Sequence, residues 1–115
     1  MIHGIGIYMI DVARFKAAAR RRGERFYKRL FTEGELSYCL KQRRPEISLS
    51  ARFAAKVSLF KAFGRAFRYI DVEVLREESG APVLKVPGLD KTYRFNCSIS
   101  HTDELSIAET VVERL

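Results

Sequence analysis

Ser50-Ala51-Arg52-Phe53-Ala54-Ala55-Lys56-Val57-Ser58-Leu59-Phe60-Lys61-Ala62-Phe63 reads as one helix. Phe53, Val57 and Phe60 recur at i, i+4 and i+7 and mark an apolar stripe. Ala51, Ala54, Ala55 and Ala62 favour the helix and let neighbours approach closely. Val57 and Lys61 lie one turn apart, so Lys61 sits at the edge of that stripe. The spacing predicts a central helix that starts near Ser48 or Ser50 and ends near Gly64.

Upstream, Ile2, Ile5, Ile7, Met9 and Ile10 with two glycines predict a buried first strand. Asp11 can cap a following helix that runs to about Arg22 and stops at Gly23. Val12, Phe15 and Ala19 share its inner face. Thr32-Glu33-Gly34-Glu35 has the form of a capping box, so a short helix through Leu36, Cys39 and Leu40 is expected. Lys41, Arg43 and Arg44 end it before Pro45. Downstream the period changes to two. Asp71–Leu75 and Pro82–Val86 flank the turn Glu77-Glu78-Ser79-Gly80 and predict a hairpin. Tyr93, Phe95, Cys97 and Ile99 alternate as another strand, and Leu105–Val112 forms a last one after a turn at His101–Glu104. The order predicts a single α+β domain over residues 1–115, with a mainly antiparallel sheet packed on the long central helix.

Composition narrows the partners. The chain carries 21 basic and 14 acidic side chains, a net charge of +7, which favours an anionic partner. Eight of the basic residues fall between Arg14 and Arg29 (Arg14, Lys16, Arg20, Arg21, Arg22, Arg25, Lys28, Arg29), opposed only by Glu24. Like charges one turn apart destabilise a helix by a few tenths of a kcal/mol per pair, so this density points to binding rather than to a merely solvated face. Cys39 and Cys97 are far apart and read as buried, reduced thiols. No apolar run reaches the roughly 18 residues of a membrane span, and no basic segment precedes the first strand. No membrane association and no signal peptide are expected, and a cytoplasmic location is the default.

Gly4-Ile5-Gly6-Ile7-Tyr8-Met9-Ile10-Asp11, Arg52-Phe53-Ala54-Ala55-Lys56-Val57 and Ser98-Ile99-Ser100-His101-Thr102, in this order, resemble the holo-acyl-carrier-protein synthases. These are the small trimeric class of 4′-phosphopantetheinyl transferases. The resemblance covers nearly the whole chain and rests on three motifs: a G-I-D strand start, an R-F-A-A-K-E helix and an S-I-S-H-T strand end. It implies the transferase fold with trimmed loops, since Arg65–Ile70 and Pro87–Lys91 are shorter than their counterparts. It also implies a homotrimer with sites between adjacent subunits, and coenzyme A and acyl carrier protein as partners. In the family's reaction a carrier-protein serine attacks the β-phosphate of coenzyme A and 3′,5′-ADP leaves. Charge builds on the diphosphate oxygens and is met by positioning and by bound magnesium.

Two positions depart from the family. Tyr8 stands at the metal-ligating Asp and Val57 at the metal-ligating Glu. Magnesium is a hard cation that takes carboxylate, phosphate and water oxygens. A phenol is a poor ligand for it, and valine has no donor atom. Asp11 is the remaining acid, and reads either as a substitute ligand or as a helix cap.

The resemblance assigns the other site residues. Lys61 matches a catalytic lysine that contacts the diphosphate, and otherwise reads as a surface lysine lying along Phe60 and Phe63. Arg44, Arg52, Ser100, His101 and Thr102 match coenzyme-A-binding positions. Arg52 otherwise reads as an ordinary helix-surface charge, and His101 as a turn histidine. Arg14, Arg21, Arg25 and Phe53 match the surface that docks the acidic helix of a carrier protein, where basic side chains steer and aromatic ones anchor.

These residues imply a protein that binds carrier protein or coenzyme A with weak or absent transfer. An active transferase with an altered metal site is the alternative. A basic nucleic-acid-binding module is the least favoured reading, because no nucleic-acid motif or stacking platform accompanies the arginines.

Overall fold

The computed structural model describes residues 1–115. The elements are β1 (Ile2–Asp11), α1 (Val12–Arg22), α2 (Glu24–Leu30), α3 (Glu33–Leu40) and α4 (Pro45–Phe63), then a single 3₁₀ turn (Tyr69–Asp71), β2 (Glu73–Arg76), β3 (Pro82–Lys85), β4 (Tyr93–His101) and β5 (Leu105–Arg114). Strands β1, β5 and β4 form one antiparallel sheet in that order, and β2 and β3 pair antiparallel as a separate hairpin. The fold is α+β, and α4 lies across the three-stranded sheet.

Small residues set the distance between helix and sheet. A Cβ added to Gly4 would run into the Ala62 carbonyl, and one added to Gly6 into that of Ser58. Two hydroxyl pairs lock the same face: Ser50 Oγ lies 2.8 Å from Ser106 Oγ, and Ser58 Oγ 2.7 Å from Thr110 Oγ1. Ser50, Ser58, Ser106 and Thr110 are all fully buried, and each hydroxyl is partnered, so the polar cost of burial is met.

One core cluster joins Ala54, Ala55, Leu59 and Phe60 of α4 to Val72, Val74, Leu84 and Val86 around the hairpin and to Ala108 and Val112 of β5. A second joins Phe15, Leu30, Phe31, Cys39 and Leu49 where α1–α3 surround the first half of α4.

Four local expectations are corrected. The first strand is buried on one face only: β1 is a sheet edge whose Gly6, Tyr8 and Ile10 face the core, while Ile5, Ile7 and Met9 are 63%, 48% and 58% exposed on the face away from α4. Helix α4 begins at Pro45, three residues before Ser48, because proline suits the first helical position, where no intrahelical N–H is needed. Its buried face is wider than Phe53, Val57 and Phe60. Ala54, Ala55 and Leu59 are completely enclosed while Phe53 and Val57 are half-buried, since both sheet and hairpin cover the helix. Helix α2 within the basic stretch was not anticipated. Leu30 is its only buried residue, so it shows little apolar periodicity. The helix caps behave as read: Asp11 accepts from the Arg14 N–H at 3.0 Å, and Thr32 and Glu35 form the reciprocal capping box of α3.

Candidate functional site

A cavity of about 580 Å³ opens between α3, the start of α4, the hairpin and the end of β4. Arg43, Arg44, Arg52, Arg76, Ser100 and His101 are among its lining residues, and none of the lining residues is acidic. Four of the family-matched positions thus meet in one place. Arg43 and Arg76 also belong to it, together with Tyr38, Gln42 and Ser48. Sequence reading missed these because they are scattered over α3, the α3–α4 loop, the start of α4 and β2, with no motif of their own.

Arg52 is not a surface charge. It is 6% exposed, its guanidinium donates to Ser48 Oγ at 3.0 Å, and it stacks over the Tyr38 ring at 4.6 Å. Its Nε has no partner. A buried guanidinium with an unused donor at the wall of a cavity is suited to an anion. Arg44 is held at the rim by Asp103 at 2.8 Å and Glu46 at 3.4 Å. Thr102 does not line the cavity. Its hydroxyl accepts from the Glu104 and Leu105 N–H groups and shapes the β4–β5 turn.

Lys61, Tyr8 and Val57 form a separate group where β1 crosses α4. Lys61 is exposed and does not line the cavity. Its Cβ borders Gly6, two residues before Tyr8. The Tyr8 side chain is half-buried. It packs against the core cluster and meets Phe53 edge-on, with centroids 6.1 Å apart. Phe53 in turn stacks on Tyr69 at 5.5 Å and lies 5.5 Å from Phe15. Phe53 is therefore mortar between β1, α1 and the 3₁₀ turn rather than a protruding docking anchor. Burial, and secondarily the neighbouring Tyr8, push the Tyr69 hydroxyl above its ordinary range.

The donor set does not fit magnesium. The two positions hold a phenol packed on an aromatic ring and a half-buried isopropyl group. Asp11 is engaged as the α1 cap. Nowhere in the chain do three His, Cys, Asp or Glu side chains converge as a metal-binding group.

Behind the cavity lies a buried ion pair. Lys56 Nζ donates to Glu35 Oε1 at 2.7 Å, Leu30 O at 2.8 Å and Tyr69 O at 2.9 Å. Glu35 Oε2 accepts from the Val74 N–H at 2.9 Å, and Thr32 donates to Glu73 at 2.6 Å. Burial pushes the Lys56 ammonium below the ordinary lysine range, and Glu35 opposes that shift. The pair ties α3 and α4 to β2, so it fixes the hairpin wall of the cavity.

The basic cluster flanks this body on α1 and α2. Arg14, Arg21 and Arg25 are exposed, and Lys16, Arg20 and Arg21 surround a shallow hollow over Ala13 and Ala17.

A fold of this kind, with a cation-lined cavity and a strand-to-helix crossing at the family's catalytic positions, is that of a phosphopantetheinyl transferase. Residues 4–110 match the profile of the 4′-phosphopantetheinyl transferase superfamily, and the chain belongs to that superfamily, among the holo-[acyl-carrier-protein] synthases. It is 35% identical over 114 residues to the holo-[acyl-carrier-protein] synthase of Thermodesulfovibrio yellowstonii, covering 97% of this chain and 99% of that protein. The Clostridium tetani synthase is 37% identical over 123 residues, covering 98% and 97%. The Bacillus anthracis synthase, solved in complex with CoA (3′,5′-ADP), superimposes with a TM-score of 0.88 at 30% identity over 100% of this chain and 99% of that one. The Neisseria meningitidis synthase gives 0.91 at 27% identity, over 99% and 100%.

Proposed function

We propose that this chain binds coenzyme A and an acyl carrier protein, and that its phosphopantetheinyl transfer is weak or lost. The observation that carries the reading is the pair Tyr8 and Val57. At the two positions where the family holds its cation, one side chain is packed into an aromatic cluster and the other has no donor. Relatives of known structure were solved with coenzyme A, and the cavity that gathers Arg44, Arg52, Ser100 and His101 is suited to its phosphates. The exposed arginines of α1 and α2 suit the acidic helix of a carrier protein.

The reading includes a homotrimer. In its favour, Ile5, Ile7 and Met9 are exposed together on the outer face of β1, beside Ile107 and Val111 of β5. Lys61 lies outside the arginine cavity, and a site completed by a neighbouring copy would bring the two half-sites together. It also includes a cytoplasmic setting, with which two free cysteines agree.

The test is to incubate this chain with apo carrier protein, coenzyme A and magnesium and to weigh the carrier protein. Little or no mass gain is expected. The double change Tyr8→Asp with Val57→Glu should raise transfer well above the parent. Family-typical turnover by the parent chain would end this reading. It would favour the second one, an active enzyme in which fixed cations meet the diphosphate, for which the position of Lys61 beside β1 is the supporting feature.

A further inference from the structure

Resting on the proposal that coenzyme A binds here, we infer that it binds without a divalent cation, through fixed cations alone, and that Arg76 of β2 and Arg43 of the α3–α4 loop are among its contacts. Three observations carry this. The first is electrostatic. Arg43, Arg44, Arg52 and Arg76 line one cavity with no carboxylate among the lining residues. The chain has four ion pairs, and neither Arg43 nor Arg76 takes part in any of them. Arg44 is paired with Asp103 and Glu46, but Arg43, Arg52 and Arg76 have no carboxylate partner, and a phosphate dianion between such cations relieves their mutual repulsion.

The second is an orphaned donor. The Arg52 Nε is buried and unpartnered although the rest of its guanidinium is fixed by Ser48 and Tyr38. Arg52 lines the cavity, so a small turn of its guanidinium would let a phosphate oxygen there take up this unused donor. The third is the aromatic packing of Tyr8 on Phe53, which replaces an ion-holding edge with an apolar one. A metal-bridged diphosphate gains nothing from such an edge, so the attraction that remains is that of the fixed cations, the arginines of the cavity and Lys61.

Calorimetric titration with 3′,5′-ADP and with coenzyme A, once in EDTA and once in excess magnesium, tests this without any turnover. Affinities that agree within about twofold are expected. Arg76→Gln should weaken both by roughly tenfold, the usual worth of one charge-assisted hydrogen bond. Lys85→Gln on the neighbouring strand removes the same charge outside the cavity lining, and should leave both nearly unchanged. Magnesium tightening either titration by about tenfold or more would overturn the inference while leaving the impaired-transfer reading intact. So would an Arg76→Gln effect no larger than that of Lys85→Gln. Cation-independent binding alongside family-typical transfer would do the reverse, sinking the proposed function alone. Failure of both compounds to bind in either buffer would remove this inference and the coenzyme A half of the proposed function together.

Discussion

Lys56 carries its ammonium inside the protein with three oxygens around it, from Glu35, Leu30 and Tyr69. Each hydrogen of the ammonium has an acceptor, and Glu35 spends its other oxygen on the Val74 N–H. Such a pair contributes little relative to a well-packed apolar substitute, but breaking it on one side is costly. Lys56→Met leaves the Glu35 carboxylate fully enclosed without its counter-ion. We expect a loss of about 3–5 kcal/mol in urea denaturation. Adding Glu35→Gln to Lys56→Met should recover part of that loss, because the remaining side chain is then neutral. A double variant as unstable as Lys56→Met, or less stable, would show that the charge was not what made the single change expensive. Arg52 illustrates the limit of sequence reading at this scale. Its place in the Arg-Phe-Ala-Ala-Lys string was visible, but its burial under Tyr38 depends on where α3 lands, which no local pattern encodes.

Helix α4 shows how an element can be found correctly and bounded poorly. Its alanines and its Gly64 stop were legible, and Gly64 does adopt a left-handed conformation at φ 92°. Its start was not, because Pro45 was read as a break rather than as a first-turn residue. Glu46 follows it in that first turn. Its carboxylate is held below the ordinary glutamate range, chiefly by its own backbone N–H and further by Arg44. A carboxyl depressed in the folded state adds stability above its unfolded value, and that stability is lost as pH falls through the folded one. Glu46→Gln should therefore flatten the acid limb of the stability profile while changing little at alkaline pH. Denaturation midpoints measured across that range would show it, and superimposable limbs for parent and variant would refute it. The hairpin formed where its alternation and turn residues predicted it, with Val74 opposite Leu84, although the loop extends one residue further, to Ala81. What alternation could not reveal was which side of β1 has a partner. The glycines that let β1 approach α4 and the isoleucines that face outward occupy alternate positions, and a monomer sequence reads both as buried.

For the molecule as a whole, the outer sheet face is the largest unexplained feature unless another copy covers it. Ile5 projects from it opposite Val111. We expect the parent chain to sediment as a trimer, and Ile5→Lys to shift it toward a single chain of 13.2 kDa without loss of folded signal. A parent chain that already sediments as a single copy would remove the trimer from the reading. The candidate site follows the same division. Of the positions that one chain brings together, Arg52, Ser100 and His101 were identifiable as motif residues and Arg44 by its match to a family position outside the motifs. The group at Lys61 stays apart from them within one chain, a separation that the order of the motifs along the sequence could not reveal.

The uncovered ladder of β1 has a practical consequence. A sheet rim whose N–H and C=O groups lack a neighbour, flanked by bare isoleucines, is a template for strand addition. Dilution that dissociated the proposed trimer would bare the isoleucines beside that rim and turn a well-behaved stock into one that slowly precipitates. Storage at high concentration should protect the protein better than storage at low concentration, the opposite of the usual rule for aggregating samples.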